Sequence, residues 1–348
     1  MVGSVDRETD ILIIGGGPGG LACAQELARA GREVLLLERK AEIGPKVCAG
    51  GITWSGLLQH VPEQLIQQAF PCQHIRTPEQ HAQVRADQPI IATVDRRELG
   101  QWMAAEAEAA GARLLAGTRV RSIAADHLLA RTGEQETCTI GFRQLIGADG
   151  ANSLVRRSLG LSSRLMGVGL NANLPLVREQ MEWHLNPALF RHGYAWIFPH
   201  GRTLSIGAYV DRAAMPLARL KANLISWARQ QQITIPPEQL RAGLVNYDYQ
   251  GHHFANRWLV GEAAGLASGL TGEGIYPAIV SGRAVARLIL DKTYPADELT
   301  RMIRKQHRHH RVIAWAGRTP RLCGLLMNLL VLLLRIKVLD FRMLEMAD

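Results

Sequence analysis

The chain has 348 residues with a formal net charge of +9; 47% of its residues are hydrophobic and 20% are charged. This balance excludes a disordered chain, a collagen-like repeat and a polytopic membrane protein, and the length predicts roughly two domains. The basic excess favours anionic partners such as nucleotides, phosphates or lipid headgroups, whereas nucleic acid is not expected because no DNA- or RNA-binding motif occurs.

The first forty residues predict a strand, a glycine turn, a helix and a second strand. The apolar run at residues 10–14 ends in a turn of five glycines and a proline, and helical spacing of apolar residues then continues to Gly31. Connections this short imply a parallel pair of strands with a right-handed crossover.

The glycine turn is predicted to bind a dinucleotide. Gly15, Gly17 and Gly20 fill the pattern G-x-G-x-x-G between a strand and a helix. In this pattern Gly15 makes the turn, Gly17 lets the backbone approach a pyrophosphate, and Gly20 lets helix and strand pack closely. The phosphates would lie on the free N–H groups of the helix N-terminus. Glu38, at the end of the next strand, is expected to bind ribose hydroxyls and to disfavour a 2′-phosphate.

The sequence beyond the first forty residues predicts further strands and helices. Strands are predicted at 71–93, 113–146 and 145–149, and helices at 97–110, 214–230, 273–290 and from 297 onward. Aromatic residues are concentrated between 183 and 198, where Tyr194, Trp196 and Phe198 have period-two spacing. This spacing places the three side chains on one face of a strand.

Two later segments indicate which dinucleotide is bound. Residues 145–156 contain Asp149-Gly150 after a strand, and residues 259–265 read L-V-G-E-A-A-G. Together with the first turn, they resemble the motif set of FAD enzymes of the glutathione-reductase-like and hydroxybenzoate-hydroxylase-like superfamily. The third motif of that superfamily usually reads G-D-A-A-G, and its acid binds a ribityl hydroxyl of FAD. Here the acid is Glu262, which is one methylene longer.

Four further segments resemble the geranylgeranyl reductase family over about residues 8–290. Residues 45–51 (P-K-V-C-A-G-G) resemble its P-x-x-x-C-x-G-G loop with one residue fewer. Residues 94–102 resemble its R-x-x-F-D-x-W segment, with Leu and Gly in place of Phe and Asp. Residues 194–199 (Y-A-W-I-F-P) and 270–275 (L-T-G-E-G-I) resemble its Y-x-W-x-F-P and G-E-G-I motifs.

The resemblance implies an α/β fold in which a Rossmann-type FAD-binding domain carries an inserted β-sheet substrate domain and a helical C-terminal tail. We assign residues 1–70, 94–160 and 251–299 to the FAD-binding domain, 71–93 and 161–250 to the substrate domain, and 300–348 to the tail. The residues implied in FAD binding are Gly15, Gly17, Pro18, Gly19, Gly20, Glu38, Arg39, Cys48, Ala49, Gly51, Arg96, Val120, Asp149, Glu262, Gly274 and Ile275.

The implied activity is reduction of isolated double bonds in an isoprenoid chain, carried by a prenyl-chain lipid or a prenyl phosphate. Tyr194, Trp196 and Phe198 would line the substrate site, because a prenyl chain needs an apolar surface; the alternative is that they are ordinary sheet core. Reduced flavin would supply hydride, with Cys48 either as proton donor or gate or as a small residue against the ring. Gly274 and Ile275 would direct N–H groups and the helix dipole at the flavin.

Electrons are expected from a transiently bound NAD(P)H or a ferredoxin-like carrier, because no second G-x-G-x-x-G occurs. The five cysteines have no C-x-x-C spacing, which predicts a reducing, cytoplasmic setting without disulfides. No metal site is expected, and His307, His309 and His310 are predicted to be solvated.

The tail has two open interpretations. Residues 301–321 are rich in arginine, and the apolar run Leu325–Leu334 is too short to span a bilayer. The tail could bind an anionic membrane surface, peripheral on the inner face of the cell membrane, or form a buried helix on the FAD domain.

Two other functions also remain open. An FAD-dependent aromatic monooxygenase or halogenase would consume oxygen and give a hydroxylated or halogenated product. A non-catalytic prenyl-binding carrier would hold the chain without reducing it, but the intact glycine motif, Asp149 and Glu262 argue for a flavin.

Overall fold

The computed structural model describes residues 6–58, 60–133, 136–317 and 319–347. Its strands are β1 (Arg7–Ile14), β2 (Val34–Leu37), β3 (Gly51–Thr53), β4 (Ile66–Phe70), β5 (Cys72–Arg76), β6 (His81–Arg85), β7 (Ile91–Val94), β8 (Arg113–Leu115), β9 (Thr118–Ile123), β10 (His127–Thr132), β11 (Glu136–Gly147), β12 (Met166–Leu174), β13 (Met181–His184), β14 (Tyr194–His200), β15 (Thr203–Asp211), β16 (Arg241–Asn246), β17 (His253–Phe254) and β18 (Arg257–Leu259). Its helices are α1 (Pro18–Arg29), α2 (Trp54–Leu58), α3 (Arg96–Ala109), α4 (Leu154–Ser158), α5 (Pro187–Phe190), α6 (Leu217–Gln230), α7 (Gly261–Ala264), α8 (Ile275–Leu290), α9 (Asp297–Ala316) and α10 (Pro320–Arg335).

The first sheet contains the predicted strand–turn–helix unit. Its strand order is β17-β18-β11-β1-β2-β8; in addition β10 pairs with β11, and β9 pairs with β10. β1 pairs in parallel with both β11 and β2, and α1 makes the crossover between β1 and β2. Alternate residues of β1 enter the cores on opposite faces of the sheet, which explains its continuous apolar run. The predicted α/β fold class is confirmed.

The second sheet, in the order β16-β12-β15-β14-β13-β5-β6, presents different faces to two cores. On one face Ala195 and Ile197 of β14 pack in the core formed with α6. On the other face Trp196 and Phe198 belong to a separate aromatic core. The period-two prediction for this strand therefore describes its two faces correctly.

A third, small sheet has the order β3-β7-β4. The segment 71–93, which we predicted to lie in the inserted domain, divides between two sheets. β5 and β6 join the second sheet through the parallel pairing of β5 with β13, whereas β7 pairs with β3 and β4. The division of the chain into domains stays a prediction.

The C-terminal tail is helical only in its first part. α10 ends at Arg335, and residues 336–347 form turns and one short 3₁₀ segment, Phe341–Leu344. The predicted helical C-terminal region is confirmed, with α9 and α10 as its helices. After Arg335 the chain returns to pack against the second sheet, the small sheet and α2. Arg318, which belongs to the basic stretch, lies outside the described residues.

α10 packs one face against the β5–β6 hairpin of the second sheet, not against the first sheet as the buried-helix interpretation expected, and membrane binding stays a prediction. Asn328 Oδ1 accepts a hydrogen bond of 2.6 Å from Thr77 Oγ1, and Val331 and Leu334 are buried. Leu325 is nevertheless 69% exposed and Leu329 is 49% exposed. Across the described part of the chain, no helix combines the length and the apolar character that crossing a bilayer requires.

The packing of α9 buries one of the three histidines that we predicted to be solvated. His307 is exposed, but His309 is buried, with Nδ1 2.9 Å from Ser268 Oγ. Burial lowers the pKa of His309, which keeps the ring neutral at neutral pH. The prediction failed for His309 because α9 packs one face on the turn that contains Ser268.

The side chain of Arg156, in α4, joins three parts of the backbone. It is 1% exposed, and its guanidinium donates to the carbonyl oxygens of Ser162 (3.0 Å), Asp248 (2.7 Å) and Ala263 (3.3 Å). These carbonyls follow α4, follow β16 and lie in α7, respectively. Arg156 therefore fixes the connections that return the chain from the second sheet to the first.

Replacing Arg156 by lysine should lower the free energy of unfolding by about 2–4 kcal/mol, since an ammonium group cannot reach all three buried carbonyls. Urea denaturation followed by tryptophan fluorescence measures the loss. The neighbouring exposed Arg157→Lys should change stability by less than about 0.5 kcal/mol. Equal losses for the two variants would contradict this role of Arg156.

Candidate functional site

A cavity of about 890 Å³ extends from the carboxyl end of β1 to the aromatic face of the second sheet. All the predicted site residues except Gly20 line it: Gly15, Gly17, Pro18, Gly19, Glu38, Arg39, Cys48, Ala49, Gly51, Arg96, Val120, Asp149, Tyr194, Trp196, Phe198, Glu262, Gly274 and Ile275. Gly20 lies behind the turn, where a Cβ would come within 2.1 Å of the Gly15 carbonyl oxygen. The structure thus brings together residues that are up to 260 positions apart in the chain.

The glycine turn forms one end of the cavity. Gly15 has a φ of +110°, and a Cβ there would lie 2.3 Å from the Ala148 carbonyl oxygen, so this position admits only glycine. At Gly17 no described atom lies within 4 Å of an added Cβ, because the position faces the open cavity. No side chain in the described ranges caps α1, whose N-terminus therefore presents free N–H groups to an anion.

Glu38 is held in place by the backbone of the same turn. Its Oε2 accepts a hydrogen bond of 2.8 Å from the Gly16 N–H, and its Oε1 accepts one of 2.9 Å from the Lys40 N–H. Each carboxylate oxygen keeps a further lone pair for a ligand hydroxyl. The side chain is thus oriented before any ligand binds.

Five buried polar atoms of cavity-lining residues have no hydrogen-bond partner within the described ranges. Asp149 Oδ1, Glu262 Oε2 and Arg96 Nε lie toward the glycine turn, and Trp183 Nε1 and the Tyr209 hydroxyl lie at the aromatic end. An unsatisfied buried polar group costs about 1–3 kcal/mol, so these atoms mark places where a ligand would supply the missing partner. Burial raises the pKa of Asp149, although the N–H groups of Leu154 and Val155 donate to its other oxygen and oppose the shift.

Glu262 connects α7 to the loop at residues 45–51. Its Oε1 forms an ion pair with Lys46 Nζ, and an added Cβ on Gly274 would lie 3.5 Å from the same oxygen. The longer side chain of glutamate thus reaches both the loop and the N-terminus of α8. Lys46 was not among the predicted site residues.

The loop that carries Cys48 is held by the second sheet. Asn171 Nδ2 donates to the Cys48 carbonyl (3.3 Å), and His200 Nε2 donates to the Ala49 carbonyl (2.8 Å). The Cys48 thiol is partly buried, lies on the cavity wall and accepts a long hydrogen bond of 3.4 Å from the Gly50 N–H. The loop therefore joins the two ends of the cavity.

The aromatic end contains the three predicted rings in sequence along β14. Ring centroids are 6.1 Å apart for Tyr194 and Trp196, and 6.2 Å apart for Trp196 and Phe198. Trp196 Nε1 donates to Ser205 Oγ (3.1 Å), which satisfies its polar atom. Trp196 and Phe198 are at once core residues and part of the cavity wall, so the two alternatives for these rings are not exclusive.

Sequence reasoning missed several residues of the cavity wall: Trp183, Phe341, Leu344, Glu273 and Glu345. Glu273 lies in the G-E-G-I motif, so the motif itself could have drawn attention to it. Phe341, Leu344 and Glu345 reach the cavity by the return of the tail, for which the sequence has no local pattern. Among the described residues, no group of three or more histidine, cysteine or acidic side chains is arranged to hold a metal ion.

A family model described as an FAD binding domain matches residues 8–210. Over 324 residues the chain is 29% identical to the menaquinone reductase of Mycobacterium tuberculosis, covering 82% of this chain and 78% of that protein. Over 318 residues it is 29% identical to the geranylgeranyl diphosphate reductase of Rhodobacter capsulatus, covering 83% and 77%. These relatives confirm the predicted resemblance to geranylgeranyl reductases.

Solved structures share the fold. A geranylgeranyl bacteriochlorophyll reductase-like protein from Thermoplasma acidophilum has a TM-score of 0.80 at 22% identity, covering 94% of this chain and 92% of that chain. The myxobacterial chondrochloren halogenase has a TM-score of 0.68 at 17% identity, covering 88% and 82%. The two proteins therefore share this fold, although their names denote different reactions.

Replacing Gly17 by valine should weaken FAD binding about 100-fold or more, because the new side chain would project into the open space beside the turn. Flavin absorbance of the purified protein and titration with free FAD measure the effect. Ala30→Val, at the other end of α1, is the matched control and should retain FAD. A Gly17→Val protein with full flavin content would contradict this placement of the cofactor.

Proposed function

Because the chain belongs to the FAD binding domain family and is an FAD-dependent oxidoreductase, we propose that it saturates isolated C=C bonds of an isoprenoid chain. The observation that carries the proposal is the continuity of the cavity from the glycine turn to the aromatic strand. An isoprenoid chain has no hydrogen-bonding groups, so apolar walls are the only means of recognising it. The named substrates of the two relatives, menaquinone and geranylgeranyl diphosphate, both contain isoprenoid chains.

The residues at the end of the cavity formed by the glycine turn fit FAD. The Gly17 backbone and the N-terminus of α1 would hold the pyrophosphate, and Glu38 would hold the adenosine ribose. The unpartnered Oε2 of Glu262 would accept a ribityl hydroxyl, while Arg39, Arg96, Val120 and Asp149 would complete the site. When bound, FAD would supply the hydride chemistry that no side chain can provide.

The protein would exclude water from the reacting groups and would stabilise negative charge on the cofactor. The buried rings of Trp196 and Phe198 would exclude water from the alkene. Gly274 is the N-cap of α8, and no side chain among the described residues caps this helix. The free N–H groups and the helix dipole would therefore stabilise negative charge on the reduced cofactor. Cys48 as proton donor or gate stays a prediction, and so does its alternative role as a packing residue.

The electron donor stays open between NAD(P)H and a ferredoxin-like carrier. A second cavity, of about 830 Å³, borders the other side of the Cys48 loop. Its wall has more cationic than anionic side chains, although Arg97 is ion-paired with Glu42; the charged residues are Lys40, Lys46, Arg96, Arg97, Arg241, Glu42 and Asp95. We propose that an anionic electron donor approaches the cofactor through this cleft.

The test of the function is an anaerobic assay with FAD-loaded protein, dithionite as reductant and a geranylgeranyl lipid as substrate. Mass spectrometry should show a gain of two hydrogen atoms for each reduced bond. A prenyl lipid of unchanged mass would contradict the proposal. Oxygen uptake with a hydroxylated or halogenated product would instead identify a monooxygenase or halogenase.

In that assay Trp196→Ala should lower turnover on a long prenyl chain about tenfold or more, equivalent to about 1.4 kcal/mol, while flavin content is retained. Trp227→Ala is the matched control, because Trp227 is an equally buried tryptophan in the core on the opposite face of the sheet. The control should lose stability but keep its turnover per bound flavin. Parallel loss of flavin and turnover in Trp196→Ala would show that the ring serves only the core.

We also propose that the tail rests on an anionic membrane surface. Leu325, Leu329 and Ile336 share one face by helical spacing and are exposed. Exposed Arg335 and Lys337 adjoin this face, which gives it the positive charge that attracts anionic lipid. From there the chain runs directly to Phe341 and Leu344 on the cavity wall, so a lipid substrate would have a short route from the bilayer.

The double variant Leu325→Gln/Leu329→Gln should reduce flotation with anionic liposomes. Each leucine would contribute roughly 1.5–3 kcal/mol at most when buried in lipid, and each nearby cation about 1 kcal/mol. Rising salt should weaken the electrostatic part. The control Leu176→Gln/Val177→Gln removes two exposed apolar side chains elsewhere and should float like the wild type. Equal flotation of all three proteins would rule out this surface.

A further inference from the structure

Two carboxyl groups on the cavity wall have no role in the function proposed above. Glu273 precedes α8, and Glu345 belongs to the returning C-terminal segment. Glu273 Oε2 accepts a hydrogen bond of 3.0 Å from the Met346 N–H, and Thr53 Oγ1 lies 3.3 Å from its Oε1. Glu345 is buried, and its Oε2 accepts a hydrogen bond of 2.9 Å from Ser55 Oγ.

These surroundings favour the neutral form of Glu273. Burial raises the pKa of Glu273 to about 7, and the charge of Glu345 acts in the same direction. The Met346 and Thr53 hydrogen bonds and the charge of Lys305 oppose the shift without cancelling it. The Tyr194 hydroxyl donates to the Thr271 carbonyl, and burial, Cys48 and Glu273 together raise the pKa of that phenol.

Glu345 is subject to the same physical effect. Burial raises the pKa of Glu345, with Asp340 acting in the same direction and Ser55, Lys305 and Arg342 opposing it. Two neighbouring buried carboxyl groups oppose each other's ionisation, so the pair takes up a proton as pH falls through about 7.

We propose that Glu273 is the acid that protonates the substrate carbon, and that Glu345 is a positioning residue that keeps the proton on Glu273. The inference rests on the proposed function. In the step, the O–H bond of Glu273 breaks and a C–H bond forms at one alkene carbon. The hydride and its electron pair for the other alkene carbon would come from reduced FAD, held as proposed at the glycine turn. Glu273 is left as a carboxylate and regains a proton from water.

Contacts of the C-terminal segment with the rest of the chain place Glu345 next to Glu273. Phe341 packs against Trp183 with ring centroids 5.4 Å apart, and Lys305 Nζ donates to the Ala347 carbonyl. These contacts fix the segment on both sides of Glu345. The return of the tail thus supplies both Glu345 and the Met346 N–H to Glu273.

The first test uses infrared spectroscopy of the FAD-loaded, oxidised protein without substrate. The wild type should show the carbonyl stretch of a protonated carboxylic acid, which disappears as pH rises through about 7. Glu273→Gln should remove this band. Glu345→Gln should move its titration to lower pH, because a negative neighbour is lost. Glu108→Gln, an exposed control on α3, should leave the band unchanged. A band that persists unchanged in Glu273→Gln would overturn the proposal.

The second test is turnover with dithionite-reduced protein. Wild-type turnover should fall as pH rises above about 7, because only the protonated form of Glu273 can donate. Glu273→Gln should lose about 100-fold or more while flavin content and flavin reduction remain normal. Full activity in Glu273→Gln would overturn the proposal. A wild type that reduces no prenyl compound would overturn the proposed function as well as the donation step, whereas the infrared titration would still decide whether Glu273 holds the proton.

Discussion

Close contact between backbones at the end of β1 is the constraint on which the site depends. An added Cβ would lie 2.3 Å from the Ala148 carbonyl oxygen at Gly15, 2.1 Å from the Gly15 carbonyl oxygen at Gly20, and 2.2 Å from the Gly19 carbonyl oxygen at Gly282. Side chains at these positions would push apart α1, the end of β11 and α8. Only because they meet so closely do Asp149, Gly274 and the N-terminus of α1 surround one cavity.

The two ends of the cavity have opposite chemistry, and the Cys48 loop lies between them. The polar end contains buried atoms whose hydrogen bonds are unmet by the described residues, which is costly without a ligand. The aromatic end consists mainly of packed core residues, and its own unpartnered atoms, Trp183 Nε1 and the Tyr209 hydroxyl, belong to largely apolar rings. The polar end is thus suited to a tightly held cofactor, whereas the aromatic end is suited to an apolar chain that enters and leaves.

Local patterns predicted the parts of the structure that depend on local sequence. The glycine turn, Glu38 and the period-two rings of β14 were predicted because strand, turn and side-chain alternation follow from neighbouring residues. The buried position of His309 and the path of the chain after Arg335 could not be predicted in this way, because tertiary packing determines them. For the same reason Trp183, which lies on the neighbouring strand, was not assigned to the cavity.

A crystal structure of the FAD-loaded protein soaked with a prenyl lipid would test directly whether one cavity holds both cofactor and substrate. Density for FAD should begin at the glycine turn, and density for the lipid chain should lie along Trp183, Trp196 and Phe198. The alkene should lie between the cofactor and the wall that contains Glu273. Lipid bound elsewhere, with these rings closed against one another, would contradict the claim that one cavity serves both ligands.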